Sequence, residues 1–294
     1  MYKDIDSNKR KTWLIMAIFI AFVIALGWVF SRAFGSYGYL VAAIFVSVIQ
    51  ALVSYYYSDK ISLAIAGAKS LERKEPYLEL HRIVENLSIT AGLPTPKIYL
   101  IPDPSPNAFA TGRDPKHASL AVTSGLLEIM NKSELEGVIA HEMSHVGNYD
   151  IRLMTIVVVL VGAIALLSDW FMRSLWFRRG NDRENGQMQM VFLVVGIVLA
   201  ILAPLAATLI QLAISRKREY LADASGALLT RYPDGLAGAL EKLQQYGRPM
   251  IRQNRATAHL YIANPFQKEK LQTWFSTHPP IDDRIKRLRE MISK

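Results

Sequence analysis

Four long apolar runs constrain the fold of this 294-residue chain more than any other feature. They cover residues 14–30, 39–57, 153–171 and 191–214, and a helix needs about 20 mostly apolar residues to cross a bilayer. Inside lipid every backbone N–H and C=O must be paired within the segment, so such runs fold as helices. The sequence therefore predicts a mainly α-helical membrane protein with four transmembrane helices, arranged as two hairpins.

The apolar runs divide the chain into alternating membrane and soluble parts. Residues 1–57 are predicted to hold a polar tail and the first transmembrane hairpin, and residues 153–214 to hold the second hairpin. Residues 58–152 and 215–294 are soluble in character, and we expect them to form the two halves of one domain. Because each hairpin returns the chain to the same membrane face, both halves lie on one side of the bilayer.

The distribution of basic residues indicates which side that is. Four of the first 13 residues are basic, and an excess of lysine and arginine marks the cytoplasmic ends of membrane helices. The loop at residues 172–190 also contains four arginines, which does not suit an external loop. Either the first hairpin alone sets the orientation, or the second apolar pair is a shallow hairpin that does not cross.

Charge and cysteine content narrow the class of protein further. The net charge of +9 is carried by scattered residues, many of which flank the apolar runs. This distribution is typical of contacts with anionic lipid, so we expect the bilayer as a partner and no nucleic acid. The chain contains no cysteine, which excludes disulfides, thiolate metal ligands and a cysteine nucleophile.

The segment HEMSH at residues 141–145 carries the clearest chemical signal. On a helix, His141 and His145 lie one turn apart on the same face, so both imidazoles can bind one metal ion. Glu142 is rotated by about 100° from His141, which directs it toward a metal-bound water rather than the metal. Residue types and spacing together predict a zinc hydrolase in which Glu142 is the general base.

The surroundings of this motif fit that interpretation. The sequence predicts a helix around it, with Ser133 as the N-cap and Glu136 completing a capping box. Upstream, short runs at residues 97–101, 107–112 and 118–124 predict a small sheet, and the intervening GRDPKH segment joins the last two as a hairpin.

A third metal ligand has to come from a distant part of the chain. A catalytic zinc takes three protein ligands, and no histidine follows His145 at short range. The second hairpin returns the chain to the membrane face where the metal helix ends, and Glu219 stands directly after it. Asp223, one turn later, is placed to accept the second N–H of a ligating imidazole. Asp150 is the alternative as ligand or hydrogen-bond partner, and a plain surface charge pattern is the alternative for Glu219 and Asp223.

Four segments resemble the HtpX-type integral-membrane zinc metalloproteases, which are relatives of the CaaX prenyl endoprotease. These segments are PNAFATG, HEMSH, SRKREYLADASGA and STHPPIDDRIKRL, and the resemblance covers nearly the whole chain. It implies a multi-pass protein of the bacterial inner membrane with a cytoplasmic α+β zincin-like (gluzincin) protease domain and one zinc ion. It assigns zinc to His141, His145 and Glu219 and catalysis to Glu142.

The PNAFATG segment is a candidate for substrate contacts. Asn107, Ala108, Phe109 and Ala110 are predicted to lie on an exposed edge strand, along which an extended substrate chain pairs through its backbone. Such pairing holds a peptide without reading its side chains, which suits a protease of damaged proteins. The alternative is an ordinary hairpin strand.

The STHPPIDDRIKRL segment holds a second candidate pair. His278 and Arg284 resemble the family's second-half pair, and His278 is a candidate donor to the developing oxyanion. The alternative is a turn-capping histidine and a salt-bridged arginine. His81, His117 and His259 are expected at the surface.

These observations predict a membrane-embedded zinc metalloendopeptidase that hydrolyses misfolded or damaged membrane proteins as part of stress-related quality control. A prenyl-peptide endoprotease is one alternative, although four spans are few to enclose a large intramembrane chamber. A non-catalytic membrane scaffold with a structural metal site is the other. A structural zinc has four protein ligands, whereas the sequence offers three good ones.

Overall fold

The computed structural model describes residues 2–178, 209, 215–246, 248–254, 256–266 and 279–291. The helices and strands in these ranges are α1 (Tyr2–Phe34), α2 (Gly38–Ala66), β1 (Lys69–Ser70), α3 (Leu78–Ala91), β2 (Lys97–Ile101), β3 (Ala108–Gly112), β4 (Ala118–Thr123), α4 (Ser124–Ile129), α5 (Lys132–Gly147), α6 (Asp150–Arg178), α7 (Arg216–Thr230), α8 (Pro233–Tyr246) and α9 (Ile281–Glu290). The architecture is thus mainly helical with one small sheet, as the sequence predicts.

The first predicted transmembrane hairpin is a pair of long helices. Two helical stretches in the described ranges are long and apolar enough to cross a membrane, Ile5–Arg32 in α1 and Gly38–Ala66 in α2. Large apolar side chains on these helices face outward. Phe45 of α2 is one example, with an exposed fraction of 65%. A Cβ on Gly27 would collide with that of Ala43, so the glycine permits a close approach of the two backbones.

The third predicted run lies in α6, which leaves α5 at a sharp bend. The angle between the two helices is 83°, and they make a third candidate span only if the bent pair counts as one. Tyr149, with a positive φ of 60°, separates the end of α5 from Asp150, where α6 begins. Apart from Leu209, the fourth predicted run at residues 191–214 lies outside the described residues.

The small sheet is mixed, with the strand order β1–β2–β4–β3. Strands β2 and β4 are parallel, with Ile98 opposite Leu120, whereas β3 and β4 are antiparallel, with Ala110 opposite the same leucine. The three predicted strands and the predicted hairpin are therefore confirmed, with ends within one residue. The two-residue β1 was not predicted, because so short a strand shows no alternation of polar and apolar residues.

Helix α5, which carries the HEMSH segment, is packed on all sides. Residues 137–146 are all buried, whereas a surface helix buries only one face. Helices α3, α7 and α8 and strand β3 all contact it. Its apolar residues join a core that includes Val84, Ile139 and Leu240, each fully buried. The HEMSH segment therefore lies in the interior of the domain.

The N-terminus of α5 differs from the prediction. The backbone N–H of Glu134 donates to Oδ1 of Asn131 at 3.0 Å, and Oε2 of Glu134 accepts from the backbone N–H of Asn131 at 2.8 Å. The capping box is therefore Asn131 with Glu134, and the predicted pairing of Ser133 with Glu136 is wrong. Both spacings occur in NKSELE, and asparagine caps a helix at least as well as serine.

Two glycines bring the second half of the chain close to α5. A Cβ on Gly226 of α7 would lie 2.9 Å from the backbone nitrogen of His141. A Cβ on Gly137 of α5 would lie 2.6 Å from the backbone nitrogen of Leu236 in α8. Contacts this short leave no room for a side chain, so both helices lie directly against α5. Because Glu219 lies on α7, this close packing places it beside the HEMSH segment.

Candidate metal centre and active site

Three buried side chains from α5 and α7 converge on one point. The Nε2 atoms of His141 and His145 are 3.2 Å apart. The carboxylate oxygens of Glu219 lie 3.8 Å from Nε2 of His141 and 3.6 Å from Nε2 of His145. Within the ranges that the structure describes, this is the one group of histidine and acidic side chains close enough to hold a metal ion.

Each imidazole is held by a carboxylate at its other ring nitrogen. Nδ1 of His141 lies 2.9 Å from Oδ1 of Asp223, and Nδ1 of His145 lies 3.0 Å from Oδ2 of Asp150. Because a carboxylate only accepts, each Nδ1 carries the proton and each Nε2 presents its lone pair. The structure thus places Asp223 where the sequence predicts it and gives Asp150 the same relation to the second histidine.

The distances between the ligand atoms fit a zinc ion. Tetrahedral sites with bonds near 2.0–2.1 Å place their ligand atoms about 3.3–3.4 Å apart. The separations here are 3.2, 3.6 and 3.8 Å, and all three residues are buried. Three protein ligands leave a fourth position for water or substrate, as in catalytic zinc sites.

The charges around this point also fit a divalent cation. The buried carboxylates of the site are Glu142, Asp150, Glu219 and Asp223, and the guanidinium groups near them are Arg218 and Arg284. With both imidazoles neutral, as metal-bound ligands are, and the four carboxylates ionised, the described residues place more negative than positive charge around this point. A divalent cation bound here would be stabilised by that charge.

Glu142 lies beside the ligands without joining them. It is buried, and its Oε2 accepts a hydrogen bond from the backbone N–H of Ala110 in β3 at 2.8 Å. Burial raises the pKa of Glu142 to about 7; His145 opposes this rise and Glu219 adds to it. A carboxylate with a pKa near neutrality can both take up and release a proton, as a general base must.

Arg284, on α9, is fully buried behind His141. Its Nε and Nη2 donate to the two oxygens of Asp223 at 2.8 and 2.7 Å, and its Nη1 lies 3.9 Å from Oε2 of Glu219. Burial alone would raise the pKa of Asp223, but Arg284 and His141 hold it at about 2. Asp223 therefore stays ionised, and the geometry of Arg284 matches the salt-bridged alternative rather than a substrate contact.

The other candidate histidines fall in different places. His278 lies outside the described residues. His117 is exposed and His81 is half-buried. The expectation that His259 lies at the surface is wrong, because it is buried with its Nε2 3.1 Å from the backbone oxygen of Met154 in α6.

Strand β3 is the outermost strand of the sheet, but it is not exposed. Asn107, Ala108, Phe109 and Ala110 are all buried, so the predicted exposure of this edge is wrong. Residues 256–263, which we call the covering segment, lie over it. This segment shows no apolar periodicity in the sequence, and for that reason its packing was not predicted.

Hydrogen bonds hold the covering segment to the strand. The backbone N–H of Ile262 donates to the carbonyl of Ala108 at 3.0 Å. The side chain of Asn107 donates to the carbonyl of Ala263 at 2.9 Å and accepts from its N–H at 3.3 Å. The outer edge of β3 is therefore already paired with another part of the chain.

Two bacterial proteins named "Protease HtpX homolog" are similar to this chain over nearly its whole length. The one from Caldanaerobacter subterraneus subsp. tengcongensis is 48% identical over 296 residues, which cover 99% of this chain and 98% of the relative. The one from Tropheryma whipplei (strain Twist) is 49% identical over 291 residues, with the same two shares. Their names and the apolar helices indicate a bacterial membrane protease.

A solved structure shares the fold. The crystal structure of S. mikatae Ste24p superposes with a TM-score of 0.50 at 20% sequence identity, over 95% of this chain and 66% of that protein. At this identity the likeness concerns the fold alone.

The family is established by a match to most of the chain. The sequence profile of peptidase family M48 matches residues 72–292, which include both halves of the site. The paired imidazoles, their carboxylate partners and the buried general-base candidate are what a zinc peptidase requires. The chain therefore belongs to peptidase family M48 and is a membrane zinc metalloprotease.

Proposed function

We propose that His141, His145 and Glu219 bind the zinc ion and that Glu142 is the general base. The observation that carries this proposal is the convergence of three buried ligand atoms within 4.8 Å of one another. When bound, zinc supplies a Lewis acid that polarises the scissile carbonyl and lowers the pKa of a bound water to about 7. Glu142 takes the proton of the attacking water and gives it to the leaving amine.

Asp223 and Asp150 orient the two imidazoles in this mechanism. Each accepts the Nδ1 proton of its histidine and thereby keeps the Nε2 lone pair directed at the metal. Arg284 keeps Asp223 ionised through two hydrogen bonds. We assign Asp150, Asp223 and Arg284 a positioning role, because none of them contributes one of the three ligand atoms.

We further propose that the substrate pairs with the outer edge of β3. The N–H of Ala110 on this edge donates to Glu142, so a peptide lying there passes beside the general base. In this proposal the covering segment leaves the carbonyl of Ala108 before the peptide takes its place. Backbone pairing favours extended, unfolded chains over folded ones.

Membrane proteins that are misfolded or damaged are the proposed substrate class. The names of the relatives support a protease, and the position of the site supports the membrane. His145 lies only five residues before Asp150, the first residue of α6, which contains the third apolar run. A site attached so closely to a membrane helix encounters chains that emerge from the bilayer.

We place the protein in the bacterial inner membrane with four spans and with the site on the cytoplasmic side. The basic N-terminal tail supports this orientation. The domain division at residues 1–57, 58–152, 153–214 and 215–294 belongs to the same proposal. If α6 crosses the bilayer, a fourth span returns the chain to the face where α5 ends.

Metal analysis combined with a casein cleavage assay in detergent tests the site. Glu142→Gln is expected to keep zinc and to lose about 10²- to 10⁴-fold in turnover, the usual contribution of a general base. Glu219→Ala is expected to lose zinc. Cleavage at the wild-type rate by zinc-loaded Glu142→Gln, or full zinc occupancy in Glu219→Ala, contradicts the assignment.

The prenyl-peptide endoprotease is the second candidate, favoured by the fold shared with Ste24p. Matched peptides with and without a prenyl group separate it from the proposed function. Equal cleavage of both supports a protease of unfolded chains, and a strong preference for the prenylated peptide supports the alternative. A scaffold with a structural metal predicts no zinc-dependent cleavage of either peptide.

A further inference from the structure

The first membrane helix reaches the back of the metal site. Asn8 lies near the start of α1, in the polar tail that the sequence marks only as a topology signal, yet it is 2% exposed. Its Nδ2 donates to Oδ1 of Asp150 at 2.7 Å and to the backbone carbonyl of Asn148 at 3.0 Å. A side chain 142 residues away in sequence thus contacts the carboxylate that holds His145.

The partners of Asn8 fix the orientation of its amide. Asp150 only accepts hydrogen bonds, so it takes the amide NH₂. Arg218 of α7 only donates, and its Nη1 lies 3.3 Å from Oδ1 of Asn8. No other orientation of the amide satisfies both neighbours. Asn8 therefore links the N-terminal helix to α6 and α7 at the same point.

Asp150 uses its two oxygens for different partners. Oδ2 accepts from Nδ1 of His145 at 3.0 Å, and Oδ1 accepts from Asn8 at 2.7 Å. With one oxygen held by the asparagine, the carboxylate cannot rotate about its Cβ–Cγ bond without breaking a short buried hydrogen bond. The orientation of the carboxylate in turn sets the tautomer and the tilt of the imidazole.

Asp150 needs this support because of where it lies. It is the first residue after the bend at Tyr149, and the i, i+5 contact with His145 exists only because the chain turns there. Helix α1 contacts the bend at a second place, where Nζ of Lys9 lies 4.4 Å from the ring centroid of Tyr149. This cation–π contact does not reach Asp150, whereas Asn8 does, and both residues belong to a helix outside the matched protease region, which begins at residue 72.

We propose that Asn8 is a positioning residue for the metal ligand His145, acting through Asp150. The inference rests on the proposed function, since it takes His145 as a zinc ligand. The first membrane helix is then part of the metal site as well as an anchor. Outer hydrogen-bond partners of metal ligands typically contribute 10- to 100-fold to metal affinity.

Zinc affinity of the full-length protein in detergent is the measurement that tests this. A chromogenic chelator competes for the metal, and all variants carry Glu142→Gln so that no proteolysis accompanies the titration. Asn8→Ala is expected to weaken zinc binding by about 10-fold, the lower end of that range. Lys9→Ala, which removes the other contact of α1 with the bend, is the matched control and is expected to leave the affinity unchanged.

A double-mutant cycle separates action through Asp150 from a general loosening of the fold. In the Asp150→Ala background, Asn8→Ala is expected to cause no additional loss of zinc affinity. The same loss in both backgrounds, or an equal loss in Lys9→Ala, overturns the proposal. Where a low unfolding temperature shows that Asn8→Ala has not folded, Asn8→Leu replaces it, since leucine has a similar shape, cannot donate to Asp150 and adds no charge beside it.

The failure of this inference is distinct from failure of the proposed function. His145→Ala should abolish tight zinc binding. If it does and Asn8→Ala has wild-type affinity, the site assignment stands and the role of Asn8 is refuted. If His145→Ala keeps zinc at wild-type affinity, the metal site itself is wrong, and the inference falls with it.

Discussion

At the scale of single residues, the proposed zinc site makes a proton and a metal ion compete for the same Nε2 atoms. Burial alone would lower the pKa of His145, but the hydrogen bond to Asp150 and the charge of Glu219 raise it to about 9. Burial lowers the pKa of His141. In chelator-stripped protein at neutral pH, His145 therefore holds a proton that zinc must displace.

Zinc uptake is accordingly expected to release about one proton from His145 at pH 7.5. The sign follows from the raised pKa, because the metal-free site is protonated below about 9 and the zinc-bound site is not. Affinity should rise about tenfold per pH unit up to that value and then level off. Calorimetric titrations in buffers of different ionisation enthalpy measure the release, and a binding heat independent of the buffer contradicts it.

The ion pair of Arg284 with Asp223 gives a second prediction at this scale. Arg284→Ala leaves a buried carboxylate without its partner, and breaking a buried pair in this way typically costs about 3–5 kcal/mol. Arg289→Ala is a control from the same helix, because its partner Glu241 forms an exposed pair, and exposed pairs contribute about 0–1 kcal/mol. Thermal unfolding in detergent compares the two variants. Equal destabilisation would show that the buried ion pair contributes no more to stability than the exposed one.

Some residue roles could be predicted from the sequence and others could not. His141, Glu142 and His145 follow from local spacing on one helix. For Asp150 the sequence leaves two roles open, metal ligand or hydrogen-bond partner. Its contact with His145 depends on a bend at Tyr149, and a tyrosine is not a strong turn signal. Asn8 had no signal, since a single asparagine in a basic tail is ordinary.

At the scale of elements, the contact between α5 and α7 sets the position of Glu219. Gly226→Ala would place a methyl group 2.9 Å from the backbone nitrogen of His141, so one helix must move. We expect zinc affinity to fall by about 10-fold or more and stability by about 1–3 kcal/mol, as for other overpacked contacts.

Gly238→Ala in α8 is the control for this substitution. Its new methyl group would meet Glu134 at 3.4 Å, an ordinary contact, and alanine favours a helix over glycine by about 1 kcal/mol. We therefore expect unchanged zinc affinity and equal or higher stability. If Gly226→Ala behaves like its control in the chelator assay, the close helix contact does not position Glu219.

Elements with a clear period or turn signal were predictable, and those held by distant partners were not. The strands, the hairpin and helix α5 follow from apolar spacing and from the turn residues at their boundaries. The cap of α5 was misplaced because two overlapping motifs compete for it. The covering segment is fixed by contacts with Asn107 and Ala108, more than 140 residues away in sequence, which no local pattern reveals.

At the scale of the whole molecule, the absence of cysteine makes the proposed topology directly measurable. Single cysteines at Ser36, in the exposed loop between α1 and α2, and at the exposed Glu72 should differ in access. In intact cells, a membrane-impermeant maleimide is expected to label Ser36→Cys and to reach Glu72→Cys only after permeabilisation. The opposite pattern would place the protease domain outside the cytoplasm.

The pairing of the covering segment with β3 means that any substrate bound there faces an intramolecular competitor. A peptide that pairs with Ala108 replaces the hydrogen bond that Ile262 already donates to its carbonyl, so this pairing alone yields little net affinity. The remaining advantage of a membrane-bound substrate is its high effective concentration near the site. A chain confined to the same bilayer meets the site far more often than a free peptide does, and so wins the competition without any sequence-specific contact.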